Sequence, residues 1–157
     1  MKIIGIIPAR YSSTRFPGKP LVDIAGKSMI QRVYEQAKQS KSLAEVLVAT
    51  DDDRIEKHVK AFGGQVVMTS EQHQSGTDRC FEAIQKFSAL ADVIINIQGD
   101  EPFIQPKQID EIASCFQMPQ VQIATLVKKI DSTADLFNVN TPKVLLNKNK
   151  EAVYFSR

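Results

Sequence analysis

Three polar segments of this sequence combine residue types that bind anions and hard cations. Residues 8–20 read Pro-Ala-Arg-Tyr-Ser-Ser-Thr-Arg-Phe-Pro-Gly-Lys-Pro, so the cations Arg10, Arg15 and Lys19 share one stretch with small hydroxyls and Gly18. Polyphosphate binding uses this mixture: fixed positive charge offsets the anion, and a glycine lets backbone N–H groups come close. The spacing matches neither a Gly-x-x-x-x-Gly-Lys phosphate loop nor a Gly-x-Gly-x-x-Gly fingerprint. A solvated basic loop is the plainer reading of the same composition. Residues 96–102, Asn-Ile-Gln-Gly-Asp-Glu-Pro, place Asp100 and Glu101 directly after an apolar run. Carboxylates there suit Mg2+, which takes oxygen ligands and often shares them with substrate phosphates. They equally suit a helix N-terminus, a role that fits Glu101 better than Asp100.

The third segment, residues 73–79, reads His-Gln-Ser-Gly-Thr-Asp-Arg. Ser75 or Thr77 can cap a following helix, and Gly76 permits close approach of backbone to a ligand. A lone loop histidine such as His73 is more often a surface residue than a catalyst, and His58, inside a helical pattern, is expected to face solvent. No further histidine or cysteine stands at zinc-ligand spacing, and no Gly-x-Ser-x-Gly elbow is present. Zinc chemistry and a hydrolase triad are therefore set aside. Asp51 to Asp53 read as an N-cap and helix-start acids.

The elements that must position these loops follow from apolar patterning. Apolar runs at residues 3–7, 46–49, 66–68 and 93–97, the last holding one polar residue, Asn96, predict buried strands. Helical spacing separates them: Met29, Ile30, Val33 and Ala37; then Ile55, Val59 and Phe62, stopped by Gly63-Gly64; then Cys80, Phe81, Ile84 and Phe87. After the fourth run, Ile109, Ile112, Ala113 and Phe116 mark another helix. Residues 121–127 predict a further strand, and residues 143–146 and 152–155 a hairpin. This alternation predicts an α/β fold: a mainly parallel sheet with helices on both faces, in three layers. Ligands of such sheets collect at the carboxyl ends of the strands, where the three polar segments lie.

The 157 residues suit one domain, 1–157, and 43% hydrophobic with 24% charged residues is a globular balance. A net charge of +2 argues against a general nucleic-acid surface. No run is long and apolar enough for a signal or membrane segment. Cys80 and Cys115 fall on apolar helix faces and are expected to be buried free thiols, as in a reducing compartment. A cytoplasmic protein is the expectation.

Together these segments resemble the 3-deoxy-manno-octulosonate (Kdo) cytidylyltransferases. The matching stretches are residues 7–11, 15–21, 48–51, 73–79, 96–102, 124–126, 143–144 and 154–157, in order and at the family's spacing. The resemblance implies a nucleotidyltransferase fold and transfer of CMP from CTP to Kdo with release of pyrophosphate. It also implies dependence on Mg2+, a place in lipopolysaccharide synthesis and a homodimeric full-length enzyme. It assigns Arg10 and Lys19 to the triphosphate, with Arg15 assisting. Ala9, Ser75 and Arg79 become nucleotide contacts that help select cytosine. Asp100 becomes the Mg2+ ligand, Gln98 a contact to the sugar acid, and Arg157 a position near the sugar. Family members continue past residue 157, so the sequence is expected to be the nucleotide-binding part, cut before most of the sugar-binding and dimerisation regions and by itself inactive. The nearest alternatives are a cytidylyltransferase for another sugar acid, such as an acylneuraminate, and a CTP-binding fragment without turnover.

Overall fold

The computed structural model describes residues 1–12, 16–87 and 90–156. Contacts within the chain gather into two compact units, residues 1–124 and 125–157.

The first unit is built on a four-stranded parallel sheet. Its elements, in chain order, are β1 (Ile3–Ala9), a 3-10 turn (Lys19–Leu21), the short pair β2 (Asp23–Ile24) and β3 (Lys27–Ser28), α1 (Met29–Ala37), β4 (Glu45–Thr50), α2 (Asp53–Ala61), β5 (Val66–Met68), α3 (Gly76–Lys86), β6 (Val93–Asn96) and α4 (Pro106–Cys115). The sheet order is β5-β4-β1-β6. In register, Gly5 of β1 lies between Val46 of β4 and Ile95 of β6.

Because successive strand side chains point to opposite faces, the run Ile3 to Ala9 feeds two cores. Ile3, Ile7 and Ala9 pack with Ile30, Val33 and Ala37 of α1, Ile55 and Val59 of α2, and Ile109 and Ala113 of α4. Ile4 and Ile6 turn the other way and pack with Leu47, Ala49 and the α3 residues Cys80 and Ala83. The expected three-layer α/β architecture is thus observed, and it explains why β1 is apolar throughout instead of alternating.

Local chemistry sets the helix starts. Ser28, Asp52 and Ser75 each sit in extended backbone and accept a hydrogen bond from an N–H of the first turn of α1, α2 and α3. Each cap satisfies a donor that lacks an intrahelical partner. Among Asp51 to Asp53, therefore, only Asp52 is the cap and Asp53 the helix-start acid.

Several expectations change. His58 is partly buried, with Nε2 2.7 Å from Ser28 Oγ and its ring edge-on to Phe62; the packing of α2 against the start of α1 brings Ser28, the N-cap of α1, to it. Phe81 is 61% exposed, so α3 uses Cys80 and Ala83 as its sheet-facing stripe. Both cysteines are free, but only Cys80 is buried; burial pushes its thiol up to about 12. Cys115 is partly exposed, and its Sγ–H donates to Glu111 O.

The second unit contains a short helix, α5 (Thr133–Phe137), and an antiparallel hairpin of β7 (Lys143–Leu146) and β8 (Ala152–Ser156). The hairpin was expected; α5, capped by Ser132, was not. The strand expected at residues 121–127 does not form. Its residues Ile123, Leu126 and Val127 are exposed. A strand requires a ladder partner for its backbone groups, and none of the described sheets includes this segment.

Candidate functional site

The chain runs outward from β1 through β4 to β5, then returns to lay β6 on the other side of β1. At such a reversal the loops leaving neighbouring strands diverge and open a crevice at their carboxyl ends. A cavity of about 250 Å3 occupies that place. The end of β1 supplies Pro8, Ala9 and Arg10, and the loop after β6 supplies Gln98, Gly99 and Asp100. The 3-10 turn adds Lys19 and Pro20, and α3 adds Gly76 and Arg79.

Small residues let these segments converge. A Cβ on Gly99 would lie 2.9 Å from the Pro8 carbonyl oxygen, so only glycine allows the loop after β6 to touch the end of β1 this closely. Gly18 has φ 72, in the left-handed region, and its N–H donates to Tyr11 O at 2.8 Å. That bond closes the neck of the first loop and delivers Lys19 to the cavity. Across the neck, the Arg54 guanidinium stacks 3.2 Å above the Tyr11 ring while its Nη2 donates to Asp52 Oδ2 at 2.6 Å. The start of α2 thereby anchors the loop.

The charged groups are arranged in two ways. Lys19 Nζ donates to Asp100 Oδ2 at 2.6 Å, with both side chains open to solvent. Arg79 is fully buried: Nη2 pairs with Asp51 Oδ2 and Nη1 donates to Thr69 Oγ1, each at 2.5 Å. Among the described residues, Arg10 Nη2 and Arg79 Nε are buried nitrogen atoms without a hydrogen-bond partner. Unsatisfied buried donors are costly, and two arginines that line one cavity with such donors mark a place for a ligand rich in oxygen acceptors. The positive charge of Arg10 and Lys19 against Asp100 favours an anion.

Sequence reasoning therefore placed Ala9, Arg10, Lys19, Arg79, Gln98 and Asp100, and the fold brings all of them to one cavity. Ser75 stands beside Gly76, but its hydroxyl caps α3, accepting from Asp78 N and donating to Asp78 Oδ2. Arg15 and Arg157 lie outside the described residues. His73 has a local partner: its Nε2 meets Glu82 Oε2, which also accepts from Ser70 N at 2.9 Å. Lys86 binds Glu82 Oε1 at 2.6 Å. Lys86, the Ser70 N–H and His73 hold the Glu82 carboxyl down to about 2. This cluster ties the 70–73 segment to α3. Sequence reasoning missed Asp51 and Thr69, the partners of Arg79. A signal existed, since each follows a strand on the ligand-binding edge of the sheet, but Asp51 was equally suited to a helix start.

The fold and cavity define a nucleotidyltransferase-type α/β protein. A family model described as cytidylyltransferase matches residues 4–157, and the chain belongs to that family. It is 68% identical to the 3-deoxy-manno-octulosonate cytidylyltransferase of Parabacteroides distasonis, over all of this chain and 63% of that protein. It is 62% identical to the enzyme of the same name from Cytophaga hutchinsonii, over all of this chain and 62% of that protein. Among solved structures, a CMP:2-keto-3-deoxy-manno-octonic acid synthetase complexed with CTP superposes with a TM-score of 0.93 at 47% identity, covering 99% of this chain and 64% of that one. The resemblance read from the loops thus holds along the whole sequence. The chain spans less than two thirds of the length of these relatives. Among the described residues, no helix is long and apolar enough to cross a membrane.

Proposed function

We propose that residues 1–157 form the nucleotide-binding part of a cytoplasmic cytidylyltransferase that moves CMP from CTP to Kdo, releasing pyrophosphate, for lipopolysaccharide synthesis. The observation that carries this reading is the cavity between the ends of β1 and β6, which Arg10, Lys19 and Asp100 line and where Arg10 Nη2 is buried without a partner among the described residues. A triphosphate supplies the acceptors and the negative charge this site lacks. The shared name of the relatives supports CTP and Kdo as the substrates.

In this reading Arg10 and Lys19 bind phosphate oxygens and offset the charge that grows on pyrophosphate as it leaves. Ala9 and Arg79 contact the nucleoside, with Ser75 shaping the start of α3 beside them. Gln98 offers an amide to the sugar acid. The anomeric hydroxyl of Kdo forms a bond to the α-phosphorus as the bond to the bridging oxygen breaks, and the hydroxyl proton passes to solvent. Holding the reactants in line is the main task of the residues present, because no covalent enzyme intermediate is needed.

Asp100 is the residue that would hold Mg2+. No group of three or more possible metal-binding side chains occurs among the described residues. A lone carboxylate beside phosphate-binding cations still fits this ion, which is commonly held by one or two carboxylates together with substrate phosphates. Bound there with the nucleotide, Mg2+ supplies charge neutralisation at the phosphates.

Calorimetric titration of CTP into this chain, with and without Mg2+ and with ATP as the control, tests the reading. Saturable CTP binding that Mg2+ strengthens and ATP does not match is expected. Absence of CTP binding, or equal affinity for ATP, would overturn it.

A further inference from the structure

We propose that Tyr11 and Arg54 are positioning residues: their stack keeps the neck of the first loop closed before a ligand arrives, so that Arg10 and Lys19 meet one triphosphate together. This rests on the nucleotide-binding reading above.

Chain order places the two cations assigned to the phosphates on either side of one hydrogen bond. Arg10 precedes Tyr11 and Lys19 follows Gly18, and the Gly18 N–H donates to Tyr11 O at 2.8 Å. This tie fixes how far apart Arg10 and Lys19 leave the backbone. The Tyr11 ring supports it. The ring packs, partly buried, on the core that also receives Leu21 of the 3-10 turn. A Cβ on Gly18 would lie 3.1 Å from Tyr11 Cζ, so the ring takes the space of a side chain at residue 18. The Arg54 guanidinium lies 3.2 Å from the ring centroid. Its orientation is set at the start of α2, where Nε donates to Asp52 Oδ1 at 3.0 Å and Nη2 to Asp52 Oδ2 at 2.6 Å. Asp52 in turn caps the helix, accepting from Arg54 N at 2.9 Å.

Neither Tyr11 nor Arg54 is among the described residues that line the cavity. Their effect on a ligand therefore passes through Arg10 and Lys19. Nor does Arg54 act as a free charge, because a carboxylate holding two of its nitrogens matches it. What it contributes is a flat cation over an aromatic face, an attraction with a direction. Two cations bind one polyanion tightly when both are in place beforehand, since the entropy of ordering them is not lost on binding. When the neck opens, only the closed fraction of molecules presents both cations, and the apparent affinity falls by that fraction. Arg79 stands apart from the neck. It is held by Asp51 and Thr69, so its contribution to nucleotide binding does not depend on the stack.

Dissociation constants for CTP and CMP, together with hydrogen exchange at the Gly18 amide, test the proposal on this chain and its variants. Arg54→Ala and Tyr11→Leu are expected to weaken CTP binding by about three- to tenfold, the scale of one cation–π contact. CMP binding should weaken much less, because CMP lacks the β- and γ-phosphates. Exchange at Gly18 should quicken in the ligand-free variants and slow again at saturating CTP. Tyr11→Phe keeps the aromatic face and should behave as wild type. The Arg54 side chain is 58% exposed, so its removal is compatible with folding. If Tyr11→Leu does not fold, as judged by circular dichroism, Arg54→Ala still decides the matter. An unchanged preference for CTP over CMP in the folded variants would show that the stack only braces the start of α2. A lost preference with Gly18 exchange unchanged would mean that Arg54 acts on the phosphates without the neck, and would equally overturn the proposal. Wild-type protein that binds neither nucleotide would overturn the nucleotide reading and this proposal with it. Wild-type protein that prefers CTP, with variants that prefer it as strongly, would overturn this proposal alone.

Discussion

Lys19 Nζ lies 2.6 Å from Asp100 Oδ2, so the cation assigned to the phosphates and the carboxylate assigned to the metal neutralise each other across the mouth of one cavity. The two side chains are 37% and 51% exposed, and an ion pair in such a setting is worth only about 0–1 kcal/mol. The pair is thus easily exchanged for a ligand. Lys19→Ala is expected to leave the melting temperature nearly unchanged while weakening CTP binding by about 1.5–3 kcal/mol, the worth of one charge-assisted hydrogen bond. Thermal melting and calorimetry on the same protein separate the two effects, and undiminished CTP affinity would remove Lys19 from the site.

Asp100→Asn should act in the opposite sense on the bare nucleotide. Removing a carboxylate from the phosphate region relieves repulsion, so CTP affinity without Mg2+ is expected to hold or rise. The gain in affinity on adding Mg2+ should disappear. Titrations at several Mg2+ concentrations check this, and a variant that responds to Mg2+ as wild type does would place the ion elsewhere.

Arg10 carries a buried Nη2 without a partner among the described residues, so it gains more from a ligand than an exposed cation does. Arg10→Met is expected to abolish measurable CTP binding with little loss of stability. Arg10→Lys should not restore it, because an ammonium cannot reproduce the planar set of guanidinium donors. Recovery of binding in Arg10→Lys would mean that charge alone matters at this position.

The two glycines that meet Pro8 should differ in their tolerance of a methyl group. A Cβ at residue 99 would lie 2.9 Å from the Pro8 carbonyl oxygen, whereas one at residue 76 would lie 3.2 Å from the Pro8 Cγ. Backbone yields less than a side chain, so Gly99→Ala is expected to destabilise by about 1–3 kcal/mol, as overpacking does. Gly76→Ala should cost less. Denaturant unfolding of the two variants decides the order, and equal stability would show that the loop after β6 relaxes freely.

Glu82 ties the 70–73 segment to α3, and its carboxyl is held well below the usual glutamate value of 4.5, at about 2, chiefly by Lys86 and then by the Ser70 N–H and His73. Between those two values the unfolded chain binds the proton more readily than the folded one, so stability rises with pH in that interval. The contribution is complete above pH 4.5 and is lost as the pH falls towards about 2. Glu82→Gln should therefore melt below wild type at neutral pH, with the gap closing in acid. A gap independent of pH would mean that the side chain acts by packing alone.

The strands of the sheet were legible because each is built on a short apolar run, and a run such as Ile3 to Ile7 fits only a strand with both faces covered. The helices were legible from their spacing, with Ile30, Val33 and Ala37 of α1 all buried as the pattern requires. The segment 121–127 had the composition of a strand without a ladder to join. The site loops were legible by residue type and by position after strands, whereas their individual partners were not. His58 looked like a solvent-facing helix residue until α2 was packed beside Ser28. Asp51 looked like one of three helix-start acids until the ends of β4 and β5 were brought beside α3.

What the sequence by itself determined was the series of elements and the edge of the sheet on which chemistry gathers, since apolar period and turn residues are local properties of the chain. Tertiary structure decided which charges meet. Lys19 and Asp100 are 81 residues apart and Arg79 and Asp51 are 28 apart. Their distances depend on strand order and on which side of β1 the chain returns to place β6. Local preference cannot encode that choice, because it is made by the simultaneous burial of both faces of the sheet.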